Sequence, residues 1–265
     1  MAGEASVDGP GGRGRPGRMR ACLVAGGLYH DIDFARRELL DLLGEHDRVR
    51  VTVRDDWEDS GAIDRADFVV SYTCDVRPTA DAQDGLDRWV RGGGRLLALH
   101  GTNSALEVGG DDGVISPRCF PGFANTLGSQ FVAHPPIGPY TVLNVEKEHW
   151  LVAGIDDFET TDELYLMEHS EPDALDPLLA TDWLGHAEGF VESDWTGGDG
   201  RRLVQYLRPL GEGAVLYNTL GHCRGHYDMA PLKDWWPTVD RCSWELPQYR
   251  ELLRRAIRWA MGADA

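Results

Sequence analysis

Between Arg20 and Leu99 the chain alternates short apolar runs with segments of helical spacing. Ala21-Cys22-Leu23-Val24-Ala25 is apolar throughout and ends at Gly26-Gly27, as expected of a strand covered on both faces. Phe34, Leu39, Leu40 and Leu43 recur at the spacing of one helix face, and Asp33 is read as the cap that opens that helix. Residues 48–54 alternate Val49, Val51 and Val53 with polar residues, a strand period. Residues 68–72 are a third apolar strand. Thr79 caps a second helix that carries Leu86, Trp89 and Val90 on one side. After Gly92-Gly93-Gly94 the run Leu96-Leu97-Ala98-Leu99 reads as a central strand.

Beyond Gly101 the pattern loosens. Residues 109–122 are rich in Gly and Asp and read as loop. Strands are expected at 140–145, 163–167, 203–207 and 214–219, the first of these alternating like an antiparallel extension. A closing helix is expected over 247–261, with Tyr249, Leu252, Leu253, Ile257 and Trp259 at helical spacing. The order β-α-β-β-α-β of the first half implies an α/β fold: a flavodoxin-like parallel sheet with right-handed crossovers, helices on both faces and an antiparallel extension. No internal repeat is visible, so residues 19–265 read as one domain. Residues 1–18, Gly-rich and containing Arg13, Arg15 and Arg18, read as a disordered N-terminal tail, or as sequence upstream of a natural start at Met19.

Charge narrows the class of partner. With 26 Lys+Arg against 44 Asp+Glu the net charge is −18, which argues against nucleic acid or a membrane surface. No stretch of 18 apolar residues is present to span a bilayer. The five cysteines, an odd number with no two close together, suggest neither a disulfide framework nor a four-cysteine zinc site. A cytoplasmic protein is expected. The sequence leaves a homo-oligomer open.

The candidate chemistry lies in the histidines. His30, His100 and His222 each follow an expected strand, and in a parallel sheet the carboxyl ends of strands face one rim, where ligands bind in open α/β folds. His100, between a buried strand and Gly101, is read as a solvent-facing side chain at that rim, with Gly101 letting a turn or a substrate approach the backbone. On a strand over 163–167, Glu163 and Tyr165 would share one face and offer a carboxylate and a phenol. His149 and Asp31 are further substrate-binding candidates. His134, before Pro135-Pro136, is read as a turn residue, and His169 and His226 as solvated. The dinucleotide pattern Gly-x-Gly-x-x-Gly is absent, so no nucleotide cofactor is expected.

Several segments together resemble the ThuA-like (trehalose utilisation) family, whose fold is related to class I glutamine amidotransferases. The resemblance is carried by Gly92-Gly93-Gly94-Arg95-Leu96-Leu97-Ala98-Leu99-His100-Gly101, by His149-Trp150-Leu151-Val152-Ala153-Gly154-Ile155 and by Asp162-Glu163-Leu164-Tyr165. It continues in residues 211–222, ending Thr219-Leu220-Gly221-His222, and in Ala256-Ile257-Arg258-Trp259-Ala260. Trp150 stands where the family usually has Pro, Ala214 where it usually has Arg, and the stretch after His222 also departs. Where an amidotransferase carries its nucleophilic Cys, this chain has His100, and an imidazole cannot replace a thiolate that must form a thioester.

The resemblance implies a small-molecule substrate, a sugar or an oxidised keto-sugar, and in some members a divalent metal. On that footing the expected catalytic residues are His100, Glu163 and His222. The same three are the expected ligands of Zn²⁺ or a similar ion. His30, Asp31, Gly101, Tyr165 and His149 are expected to bind substrate. The reaction would be hydrolysis, elimination or isomerisation, assisted by metal or by imidazole acting near neutrality. The alternatives are a non-catalytic sugar-binding module, a tailoring enzyme of the same fold and an amidotransferase-like subunit. A reactive thiol would favour the last.

Overall fold

The computed structural model describes residues 17–109, 113–196, 198–230 and 232–263; most of the expected tail, residues 1–16, lies outside them. Eleven strands and five helices carry the architecture. They are β1 (Met19–Gly27), α1 (Ile32–Gly44), β2 (Val49–Arg54), α2 (Ser60–Asp64), β3 (Phe68–Cys74), α3 (Ala80–Arg91) and β4 (Arg95–Leu99) in the first half. The second half holds α4 (Pro121–Leu127), β5 (Ser129–Ala133), β6 (Gly138–Asn144), β7 (Phe158–Asp162), β8 (Leu166–His169), β9 (Asp176–Asp182), β10 (Arg201–Leu210), β11 (Gly213–Asn218) and α5 (Pro247–Ala260).

One nine-stranded sheet runs in the order β2-β1-β3-β4-β11-β10-β9-β6-β7. The first five strands are mutually parallel, in the flavodoxin order, and the last four continue antiparallel. β5 and β8 form a separate antiparallel pair. The expected parallel sheet with an antiparallel extension is thus what the chain forms.

Both faces of the parallel half are covered, which is why its strands are apolar without alternation: all seven residues of β3 are buried. α1 and α5 pack one face through Leu39, Leu42, Leu253 and Ile257. α2, α3 and α4 pack the other through Ile63, Leu86, Val90, Phe123 and Leu127. Each such fully buried side chain contributes about 2 kcal/mol through removal of apolar surface from water.

Three expectations on local structure change. The cap of α1 is Asp31, whose carboxylate accepts from Phe34 N at 3.0 Å, so the helix opens two residues earlier than a cap at Asp33 would place it. Of the expected strand over 163–167 only Leu166 and Met167 are strand, as the start of β8. β7 stops at Asp162 because that side chain accepts the Glu163 amide at 2.8 Å, removing it from ladder pairing. Residues 163–165 cross irregularly to β8. Finally, α2, α4, β5, β7 and β9 lie where the sequence pattern gives no clear period.

Candidate functional site

Strand polarity builds the site. β1, β4 and β11 are parallel, with Leu99 in register with Asn218, so the turns after them open at one edge of the sheet. Those turns carry His30, His100 and His222. Together with Glu163 they form a buried group whose potential ligand atoms all lie within 4.8 Å of one another. None of the four side chains is more than 5% exposed.

His100 is not the solvent-facing residue expected from its place at a strand end. It is fully buried, in a left-handed backbone conformation (φ 43°), and its ring lies between Tyr72 and Tyr165, with centroids 6.0 and 4.4 Å away. Gly101 is required by packing. A Cβ there would lie 2.7 Å from the Thr73 carbonyl oxygen and 2.9 Å from Cys74 Cβ, so the turn can sit against β3 only without a side chain.

The ring tautomers follow from the carbonyls. His100 Nδ1 donates to the Thr219 carbonyl at 2.7 Å, and His30 Nδ1 donates to the Leu28 carbonyl at 3.3 Å. In the neutral rings this leaves both Nε2 atoms as lone pairs, and they face each other at 2.9 Å. Two acceptors at that distance repel unless a proton or a metal cation lies between or beside them. Backbone carbonyls that fix Nδ1–H and aim Nε2 inward are the usual support of metal-binding histidines. His222 adds a fully buried ring neither of whose nitrogens makes a well-aligned hydrogen bond. Its Nδ1 lies 3.1 Å from Glu163 Oε2. Three imidazoles and a carboxylate with orphaned lone pairs fit Zn²⁺ or a similar borderline ion.

Glu163 is the electrostatic centre. Burial opposes its charge, but the imidazoles of His134, His222 and His100 face it and together hold its carboxyl well below the usual range. Oε2 faces His100 at 3.7 Å as well as His222. Oε1 faces Arg224 Nη2 at 3.2 Å and His134 Nε2 at 3.6 Å. Burial, reinforced by the neighbouring His100 and His222, pushes His30 well below the usual histidine range, so it is neutral at pH 7. His222 is lowered too, again by burial first.

Asp162 holds this arrangement in place. Fully buried, it accepts from the backbone N–H groups of Glu163 (2.8 Å), Gly221 (2.9 Å), His222 (3.0 Å) and Ser243 (3.3 Å), and from the Ser243 hydroxyl. One carboxylate therefore ties the connector bearing Glu163 to the turn bearing His222.

A cavity of about 110 Å³ opens onto the cluster. Its lining includes His30, Glu163, His134, Arg224, Tyr165 and Ser104. His100 and His222 lie beneath this floor. Of the other expected binding residues, Tyr165 lines the cavity, while Asp31 and His149 do not. The Asp31 carboxylate is engaged by the α1 cap and by Arg241 at 2.9 Å. His149 sits in the turn after β6, where it accepts from Leu151 N and stacks on Trp150. The sequence reading takes His134 for a turn residue and gives Arg224 and Asp162 no role in the site. His134 is the imidazole of the site in contact with solvent, its side chain 24% exposed. A signal for Arg224 was available: a buried carboxylate needs a cation, and Arg224 stands two residues after His222. His169 and His226, expected to be solvated, are half-buried, the latter donating to the Trp236 carbonyl.

None of the five thiols suits nucleophilic work. Burial is the first cause raising each of them: Cys22 to about 11, Cys223 to about 12, and Cys74, Cys119 and Cys242 upward as well. The amidotransferase-like alternative therefore lacks its activated cysteine.

Comparison with known proteins bears on the fold and the family. No curated protein matches the chain. Among solved structures it is similar to a ThuA-like protein of Parabacteroides merdae ATCC 43184, at 16% identity and TM-score 0.66 over 92% of this chain and 90% of that one. A ThuA-like protein of Bacteroides uniformis ATCC 8492 is similar at 15% identity and TM-score 0.64, over 97% of each chain. The β-galactosidase of Rahnella sp. R3 shares the fold over 93% of this chain but 32% of its own length, at 13% identity and TM-score 0.52. At such identities these likenesses speak for the fold. The family evidence is separate: residues 20–235 match ThuA, described as trehalose utilisation. That match takes in the turns bearing His30, His100 and His222 and the connector bearing Glu163, so the chain belongs to the ThuA family.

Proposed function

We propose that this protein is an enzyme acting on a carbohydrate or glycoside, with a divalent cation held by His30, His100, Glu163 and His222. The single observation that carries the reading is the buried meeting of ring nitrogens: two Nε2 atoms 2.9 Å apart, each ring fixed by a carbonyl on its other nitrogen, beside an ionised Glu163. Such a group costs stability unless a cation satisfies it. The family's description supports a sugar ligand.

A bound divalent ion would polarise a sugar carbonyl or hydroxyl and lower the pKa of a coordinated water. The chain's own groups do the rest. Arg224 neutralises the outer oxygen of Glu163 and presents a cation to an oxygen-bearing substrate in the cavity. His134 donates its Nδ1–H to the Pro135 carbonyl at 2.8 Å, which leaves Nε2 as the basic atom at the cavity wall. It is placed to carry a proton between the buried cluster and solvent. Hydrolysis, elimination and isomerisation of a sugar all need these two services.

The test is elemental analysis of protein purified without chelator, followed by titration with Zn²⁺ under equilibrium dialysis. About one ion per chain is expected, with Glu163→Gln weakening its retention about tenfold or more while the fold persists. Wild-type protein that binds no divalent ion, with Glu163→Gln turning over glycosides like the parent, would sink the proposal. Sugar binding with no turnover would leave a non-catalytic binding module.

A further inference from the structure

The cavity has two chemistries, and they are separated. Its floor is polar: His30, Glu163, Arg224, His134 and the buried Ser104 hydroxyl. Its walls are apolar and come from separate stretches of the chain, among which Val114 is bridged to Phe190. Phe131 and Phe190 touch at 5.8 Å between centroids, and Phe131 continues inward to Tyr165 at 4.6 Å, which rests on His100. Val108 and Val114 form a second wall, and Met229 and Leu232 a third. The apolar character runs out to the mouth, where Val108 is 48% and Leu232 42% exposed.

A free sugar carries hydroxyls around its whole ring. In this cavity the hydroxyls away from the floor would meet carbon and lose their water without replacement. A ligand with an oxygen-bearing head and an apolar body satisfies both regions at once. We propose that the natural ligand is of that kind: a glycoside whose sugar oxygens face the His30–Glu163–Arg224 floor and whose aglycone, an aryl or branched alkyl group, lies among Phe131, Phe190 and Leu232. This rests on the sugar-directed reading above for the identity of the head group, and on the walls alone for the apolar body.

The experiment compares matched pairs by calorimetry on purified, Zn²⁺-supplemented protein. One pair is methyl and phenyl glycosides of a panel of hexoses. The other, free of sugar, is acetohydroxamate and benzohydroxamate. The phenyl member of a pair is expected to bind about tenfold tighter, the effect of burying one aromatic ring. Phe190→Ser and Leu232→Ser should bring the two members of a pair within about twofold, with metal content unchanged. Leu232 is exposed enough for its replacement to leave the fold intact. Phenyl preference in the hydroxamates alone, lost in the variants, keeps the apolar site and removes the sugar head. Equal binding of phenyl and small members in both pairs, or a preference that survives both variants, overturns the inference.

Discussion

The parallel and antiparallel halves of the sheet contribute to the site in different ways. The parallel half delivers His30, His100 and His222 from turns directly after β1, β4 and β11, and the regular strands beneath them fix where those turns can be. The far side delivers Glu163, Tyr165 and His134 from segments outside regular pairing: an irregular connector after β7, and the turn after β5. Regular hydrogen bonding positions the imidazoles. The carboxylate is positioned by another carboxylate, Asp162. A site built on a seam in this way gets its rigid ligands from the layered core, while its charge depends on a few side-chain hydrogen bonds.

The sharpest way to break that contrast is Asp162→Ala. It strips partners from four backbone N–H groups and a hydroxyl at once, and a loss of about 3 kcal/mol or more is expected in denaturant unfolding. Asp162→Asn keeps the volume but turns one oxygen into a donor, and should cost less. A melting curve for Asp162→Ala like that of the parent would show that the far side has other supports.

His100→Ala comes next. The ring is fully buried and packed between two tyrosines, so its removal leaves a cavity as well as an unpaired Thr219 carbonyl. About 2 kcal/mol of destabilisation is expected, more than a solvent-facing rim residue would show. Unfolding at the parent's denaturant midpoint would mean the ring carries no packing.

His134→Ala sharpens the comparison from the other half. That side chain is partly exposed and 3.6 Å from Glu163, so stability should change by about 1 kcal/mol or less. Turnover, once a glycoside substrate is found, should fall because the proton route is cut. A stability loss as large as that of His100→Ala would make His134 a structural member of the cluster.

His149→Ala should do least. It lies in a turn that does not line the cavity and should shift stability by about 0.5 kcal/mol at most, with Zn²⁺ retention unchanged. A measurable loss of metal would bring its turn into the site.

How much of this was legible in the sequence depended on periodicity. Leu96–Leu99 and Ala21–Ala25 declare buried parallel strands by their unbroken apolar character, and β-α-β order then places the following histidines at one edge. His100's burial was not legible, because it arises from Tyr165 arriving across the seam. Nor was the end of β7, because the apolar–polar alternation through 163–167 suits a strand. The Asp162 carboxylate overrides it by taking the Glu163 amide for itself.

The sequence by itself determined the parallel half, its helical covering and the residue types available for chemistry, because these follow from local period and from the fixed handedness of crossovers. Only the tertiary structure decided that Glu163 is the common partner of His100, His222, His134 and Arg224, and that Asp31 and His149 stand apart. Those pairings join residues distant in the chain, as His100 and Arg224 through Glu163, and no local period reveals them. The balance that holds Glu163 ionised, burial against several facing imidazoles, exists only once the chain is packed.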